Sequence, residues 1–396
     1  MTGPPRNFRV LVFGYSCSAY GNYLNLVALS LFTLVVTGGP LGVGIVMALR
    51  LGAGFGAGIV AGRLVNRFDR RRLMIGTDLV QAAAMVGLAA GPRHVAPLVA
   101  AAVVLGAGNT LFTVALRSSV PAMVGQEQRV KANGRLVTGR SLGTVLGFAS
   151  AGIVVGTGGF DAAFYVNAAS FVVSAVSLAA LRLPTRTGDG PAGTATGDLT
   201  GRLLALAGPV VVLMVAVRGA DAFGSASHNM AIPLYANQLD PVNPAVVMSQ
   251  FWASWAIGTL LAHQVVRRVS LGERAFALGT CLMAVSFVLA FAVPAGPALI
   301  AVALLAGLAD GFTEIVYTSR LQEAPDEQRG RLFGMSATAE TAGFATGMVA
   351  SSALLEVAPA LTVVAAFHGV AVLAAAGLFA VTFVRRRTAA PVAQET

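Results

Sequence analysis

Charge is scarce in this sequence, and acid is scarcer than base. Asp, Glu, Lys and Arg make up only 11% of 396 residues, with 17 acids against 27 bases. So few charges exclude a disordered polar chain and cannot cover a water-soluble domain of this length. Lysine occurs once, at Lys131, and no G-x4-G-K-[ST] pattern exists, which excludes a nucleotide-binding phosphate loop. No H-E-x-x-H occurs either, so the common zinc-protease signature is missing. Cysteine appears twice, at Cys17 and Cys281, both inside apolar runs and far apart. That pattern supports neither a disulfide framework nor a thiolate metal site, and both are read as small apolar packers.

What is abundant is hydrocarbon: 56% of residues are hydrophobic and the mean hydropathy is +0.75. Runs of roughly 20 apolar residues, the length that crosses ~30 Å of lipid, lie near 9–36, 41–63, 73–91, 95–116, 133–156 and 161–182. Six more follow near 206–236, 243–266, 272–293, 297–319, 331–355 and 359–384. The expected fold is therefore an all-α integral membrane protein of twelve transmembrane helices, built as two six-helix bundles. The first run, preceded by Arg6 and Arg9, is too long for a cleaved signal and is read as the first span.

A sequence pI near 10.7 would suit a nucleic-acid binder, so the placement of the basic residues decides. Twenty-three of the 27 fall in alternate loops; Arg93 lies on the other side, and Arg50, Arg140 and Arg218 fall within spans. This is the positive-inside pattern, which places both termini in the cytoplasm and the chain in the cytoplasmic membrane. No soluble segment is long enough to gather those charges on one face, so nucleic acid is excluded as a partner. The lipid bilayer is the expected one.

The chain reads as a duplication. At an offset of 200, "EQRVKANG" (127–134) matches "EQRGRLFG" (327–334), Phe112-Thr113 matches Phe312-Thr313, and Gly143 and Gly147 match Gly343 and Gly347. The Gly-, Thr- and Pro-rich "LPTRTGDGPAGTATGDLTGR" separates the two copies. The expected domains are a bundle over 1–185, a linker over 186–202 and a second bundle over 203–396. Parallel repeats of this kind belong to transporters that rock one half against the other around a midplane site.

The loop after the second run reads "GRLVNRFDRRRLM", which fits the pattern G-x-L-x-D-R-x-G-R-R-x at Gly62, Leu64, Arg67, Arg70 and Arg71. Asn66 stands where the pattern has Asp, and Asp69 follows. The fifth run carries Gly134, Gly143, Gly147 and Gly152, close to an antiporter glycine pattern, with Phe148 and Ala151 departing from it. "RNFR" at 6–9, "TGGPLGVG" at 37–44, Asp78 opening the third run and "NAASF" at 167–171 add to the likeness. Together these stretches resemble the major facilitator superfamily, and within it the drug and siderophore efflux branch of enterobactin exporter-like proteins. The resemblance implies a transporter that uses no cofactor, acts as a monomer, and takes a small-molecule substrate and protons as partners. It also implies that Gly62, Asn66, Arg67, Asp69, Arg70, Arg71 and Asp78 form a cytoplasmic gating loop. The glycine pattern is equally accounted for by close helix packing.

Ionisable residues inside spans are expensive, so each needs a wet cavity or a partner. Asp310 and Glu314, in "GLADGFTEIVYTSR", lie one turn apart on one helix face. With Glu340 they are the expected proton-coupling residues, since like charges crowded in a poorly solvated site favour holding a proton. At the offset of 200 their counterparts are Thr110 and Val114. Arg50, Arg140, Arg218 and Asp221 are the expected charge network; Arg218 and Asp221 are spaced i, i+3, and Arg140 matches Glu340 in the repeat. Arg50 is expected to pair simply with a carboxylate, an anionic substrate group being the alternative.

Tyr15, Asn22, Tyr23, Asn25 and His228 are the expected substrate contacts, Asn22 standing where the efflux branch carries Asp. His263 and His368 read as lone histidines. The seventh run is longer than one crossing and holds Gly219, Gly224 and Pro233, so a tilt or break is expected there. The favoured reading is export of a hydrophobic or amphipathic molecule against proton flow. An importer or facilitator of the same fold stays open, as does an intramembrane enzyme or lipid transferase using Asp310, Glu314 and His228.

Overall fold

In a computed structural model the described residues are 6–124, 129–181, 209–266, 272–324 and 326–389. The expected linker and the repeated Glu127-Gln128 pair lie outside them. Every regular element among the described residues is a helix, as hydrocarbon requires: without water, backbone N–H and C=O groups must bond within their own segment. The helices are α1 (Arg6–Thr37), α2 (Pro40–Arg67), α3 (Arg70–Ala90) and α4 (Val95–Val124). A continuous stretch Arg129–Ala179 is broken at Gly159, giving α5 (129–158) and α6 (160–179). Then come α7 (Pro209–Leu239), α8 (Pro244–Val266), α9 (Glu273–Ala290), α10 (Pro297–Gln322), α11 (Asp326–Leu354) and α12 (Ala360–Ala389).

All twelve expected spans are thus helices. By length and apolarity alone ten qualify as membrane-crossing; α5 and α6 count there as one, and α11 carries too many polar residues to reach that level. Apolar side chains are also exposed at mid-helix, as at Phe55, Ile59, Ile153 and Leu373. On a lipid-facing wall this exposes nothing to water.

Local chemistry sets the ends. Pro40 and Pro297 sit in the first turns of α2 and α10, where their missing N–H has no intrahelical acceptor to lose. Asp69 caps α3, accepting from the Arg72 N–H at 2.9 Å. Gly159, at φ +71°, makes the turn from α5 to α6 in backbone space that a side chain would strain. Within the helices, hydroxyls bond back one turn, as Ser16 does to the Val12 carbonyl (2.7 Å) and Thr33 to that of Leu29 (2.6 Å). Helix α7 runs unbroken through Gly219, Gly224 and Pro233, so the break expected there does not occur. Its glycines instead face neighbouring helices, Gly219 against Ala339 and Gly224 against Phe367 and His368.

The chain divides into two compact units, one of residues 1–194 with 236–253, the other of 195–235 with 254–396. In the first, α1 lies between α5 and α6: Gly143 and Gly147 meet the backbones of Ser16 and Tyr20, while Gly14 and Gly21 meet Ser177 and Ser170. In the second, α7 lies likewise between α11 and α12, with Gly343 and Gly347 against Gly219 and Phe223. Of the antiporter-like glycines, Gly143, Gly147 and Gly152 are therefore contact points where backbones nearly touch, whereas a Cβ on Gly134 would meet nothing within 4 Å. The first unit's core is built on Phe8, Leu11, Met74, Phe112 and Leu116, and the second's on Met214, Val217, Phe276, Tyr317 and Leu378.

The tightest approaches are matched across the units. A Cβ on Gly106 would lie 1.9 Å from the Arg50 carbonyl oxygen, and one on Gly307 would lie 1.9 Å from that of Trp255. Gly307→Ala should therefore push α10 off α8 and lower the melting temperature of the detergent-purified protein, a loss on the order of 1–3 kcal/mol typical of overpacking. Gly76→Ala, which meets nothing within 4 Å, should leave the melt unchanged or raise it. Equal melts for the two variants would contradict the packing described.

Candidate transport site

The second unit holds a cluster around Arg218 of α7, whose side chain is only 14% exposed. Its Nη1 donates to Asp221 Oδ2 at 3.1 Å, its Nη2 donates to Glu314 Oε2 on α10, and its Nε lies 3.8 Å from Glu340 Oε2 on α11. One guanidinium thus answers three carboxylates from three helices. The cluster is graded in exposure: Asp221 is 7% exposed, Glu340 37% and Glu314 53%.

Around it runs a chain of hydroxyls. Tyr317 donates to Ser336 Oγ (2.7 Å), which donates to Glu340 Oε1 (2.6 Å), and Thr318 donates to Glu314 Oε1 (3.2 Å). The Arg218 guanidinium also sits 5.8 Å from the centre of the Tyr317 ring, within cation–π range. Asp310 is held apart from the arginine, accepting from the Trp255 indole N–H at 3.1 Å.

The expected network is therefore brought together in part. Arg218, Asp221, Glu314 and Glu340 meet; Arg50 and Arg140 belong to the first unit. Sequence reasoning does not single out Trp255, Tyr317 or Ser336. Tyr317 and Ser336 carry a signal all the same, lying one turn from Glu314 and Glu340 on their respective helices.

The first unit encloses a cavity of about 400 Å³ lined by Tyr15, Asn22, Tyr23, Arg50, Asp78, Gln81, Asn109 and Arg140, among others. Three of the five expected substrate contacts, Tyr15, Asn22 and Tyr23, are on its wall. Arg140 donates to the Tyr23 hydroxyl from both Nε (3.2 Å) and Nη2 (2.9 Å), so its matching position, Glu340, is not its partner. Asn25 is fully buried, and its amide has no hydrogen-bond partner among the described residues.

His228 lies in the second unit, 3% exposed and stacked at 3.8 Å on Phe287. Its Nδ1 is 3.1 Å from His368 Nε2, a contact that needs one proton between the two nitrogens. His368 is thus neither lone nor solvated. Asp78 does not open α3 but sits two turns in, 1% exposed, on the cavity wall.

The basic loop binds the backbones of two helices, within α4 and at the end of α6. Arg70 Nη1 donates to the Ser118 carbonyl at 2.7 Å, and Arg71 donates to the carbonyls of Leu178 (2.9 Å) and Ala179, where α6 ends. Free carbonyls at a helix C-terminus carry partial negative charge and favour such cations. Arg67 lies 5.8 Å from the centre of the Phe68 ring, and a Cβ on Gly62 would meet open space. The side chain of Asn66 lies outside the described residues.

The contacts at Gly106 and Gly307 make Arg50 the counterpart of Trp255, and by the same register Asn109 that of Asp310 and Thr113 that of Glu314. This is one residue off the register expected from Phe112-Thr113, because the glycine, not the aromatic, governs how closely the helices meet. The sequence "GRSLG" at 139–143 has the G-x-S-x-G form but lies inside α5, without the strand-to-helix turn that exposes a nucleophile.

No curated protein matches the chain at a significant level. Among solved structures it is similar to the POT family transporter PepTSo, with a TM-score of 0.74 at 13% identity over 97% of this chain and 99% of that one. It is also similar to the peptide transporter POT in complex with sulfate (TM-score 0.72, 17% identity, 96% and 94% covered). A third is a mutant form of the nucleoside transporter NupG (TM-score 0.69, 16% identity, 94% and 98% covered). These TM-scores establish the common fold alone. The sequence model of the Major Facilitator Superfamily matches residues 11–325, and the chain belongs to that family of membrane transporters.

Proposed function

We propose that this transporter exports a hydrophobic or amphipathic small molecule across the cytoplasmic membrane by proton antiport, through alternating access, as a monomer with both termini in the cytoplasm. In this reading residues 1–185 and 203–396 are the two moving bundles and 186–202 the connection between them. Export, and kinship with the drug and siderophore efflux branch, rest on the family-like sequence stretches and the antiporter-like glycines; the similar solved structures are peptide and nucleoside transporters.

The observation that carries proton coupling is the charge balance of the second unit. Arg218 faces Asp221, Glu314 and Glu340, and Asp310 stands one turn from Glu314. Four carboxylates against one guanidinium leave an excess of negative charge around Arg218, which protons can offset. A proton added to Glu314 weakens its bond to Arg218 and frees the guanidinium for the remaining acids. Ion pairs exchanged in this way are a means of favouring one conformation over another. An intramembrane enzyme is the weaker reading, since His228 is buried, stacked on Phe287 and paired with His368.

The test uses three naphthalene probes of permanent charge: naphthalene-2-sulfonate, neutral naphthalene-2-sulfonamide and 2-naphthyltrimethylammonium. In proteoliposomes carrying a pH gradient, at least one should accumulate unaltered on the proton-rich side, and collapsing the gradient should abolish this. Asp310→Asn and Glu314→Gln should each slow gradient-driven accumulation at least tenfold while leaving gradient-free exchange of the same probe. Unchanged gradient dependence in both variants would remove these acids from the mechanism.

Arg218→Gln strips the counter-charge from Asp221, which is 7% exposed, and should destabilise the protein by ~3–5 kcal/mol, as breaking a buried pair does. The double variant Arg218→Gln with Asp221→Asn should recover much of that loss in a thermal melt. No recovery would mean that Arg218 acts through something other than this pair.

A further inference from the structure

Arg50 is a half-buried cation with no carboxylate counter-ion among the described residues. Its Nη1 is withdrawn from solvent and has no hydrogen-bond partner, and among the described residues no carboxylate lies within ion-pair distance of it. A guanidinium cannot shed its proton to relieve this, as a lysine or histidine could. Its fork of five donors suits planar or tetrahedral oxyanions, and left unanswered in a low-dielectric wall it is costly. The backbone beneath it is also fixed, since Gly106 of α4 is pressed against the Arg50 carbonyl.

The cavity that Arg50 lines is positive overall. Its charged residues are Arg50, Arg140 and Asp78, and Arg140 is engaged by the uncharged Tyr23 hydroxyl, leaving its charge unneutralised. Asp78 pairs with neither arginine, and both its oxygens are without hydrogen-bond partners among the described residues. Whether Asp78 carries its proton or not, cations exceed anions there. The second unit offers the contrast. The counterpart of Arg50 is Trp255, whose donor is already satisfied by Asp310. Arg50 is a donor whose acceptor must come from outside the protein.

We propose that the cavity of the first unit receives the anionic head of an amphipathic substrate, a carboxylate, sulfonate or phosphate, with Arg50 as the group that binds it. Tyr15, Tyr23 and Phe112, which share the wall, offer ring surface to the apolar remainder. This rests on the transport reading above and assigns the charge of what is carried.

The test is thermal stabilisation of the full-length detergent-purified protein by the three naphthalene probes, which differ in charge but share their ring system. The sulfonate should raise the melting temperature most, the sulfonamide less and the ammonium least. Arg50→Gln should weaken sulfonate binding at least tenfold and Arg50→Lys should restore part of it, because charge without the fork remains. Without probe, Arg50→Gln should melt no lower than the wild type, having lost no partner.

Any other order of the three probes, equal shifts or no shift with all of them, or a marked fall in the probe-free melt of Arg50→Gln would overturn the assignment. Repeating the titration with added phosphatidylglycerol separates a soluble anion from a lipid head group. Persistence of the sulfonate shift supports a soluble anion, and its loss to the lipid overturns it. Gradient-driven transport of the ammonium probe alone would end this inference while leaving the transport reading standing. No gradient-driven movement of any probe, with sulfonate binding intact, would do the reverse.

Discussion

A charge or dipole placed in hydrocarbon must be answered from inside the chain, and most of this molecule is organised by that requirement. Arg218 is answered by Asp221, Glu314 and Glu340, Arg71 by the last carbonyls of α6, and Asp310 by the Trp255 indole. Serine and threonine hydroxyls bond back to carbonyls of their own helices. Against so thorough an accounting, the groups left over are informative. Arg50, Asp78 and Gln81 carry unsatisfied polar atoms, and all three line the same cavity. Others, at Asn25, Asn167 and Asp221 among them, lie off that wall; the three beside the cavity are the ones that a polar group entering it could reach.

The two units share their backbone contacts and differ in the side chains set upon them. Gly106 and Gly307 hold matched helix pairs at the same near-contact, and Gly143 and Gly147 do for α1 what Gly343 and Gly347 do for α7. Small residues govern how near two backbones come, whereas a residue one turn away can change with little effect on that approach. Duplication therefore leaves the scaffold symmetric and the chemistry free to diverge. One unit has received cations at Arg50 and Arg140; the other has received acids at Asp310, Glu314 and Glu340.

Much of the architecture is legible because a membrane span is a long, one-dimensional signal: apolar length marks the helices. The finer failures have physical causes. Glycine and proline usually weaken a helix, which is why α7 reads as broken. In a membrane the same glycines permit close packing, and Pro233 is carried within a continuous helix. Arg140 and Glu340 match in the repeat but bond different groups, Tyr23 for the one and Ser336 and Arg218 for the other. Spacing along one helix predicts the Arg218 and Asp221 pair. Spacing alone cannot reveal that Trp255 reaches Asp310 or that His228 meets His368, since those contacts depend on how separate helices dock.

The pair of acids on α10 shows why position along a helix is not yet a role. Asp310 and Glu314 share a face, but one is tied to an indole N–H and the other, half exposed, is tied to a guanidinium. A neutral donor remains a satisfactory partner whether its acceptor is charged or protonated, so the Trp255 contact can persist through a change of proton occupancy. A guanidinium does not share that tolerance, because its attraction depends on the carboxylate's charge. In the proposed cycle, then, Glu314 is the acid whose protonation alters the structure around it, and Asp310 sets the electrostatic background. The hydroxyl chain from Tyr317 through Ser336 to Glu340 gives the arginine a second, already oriented acid to turn toward when the first lets go.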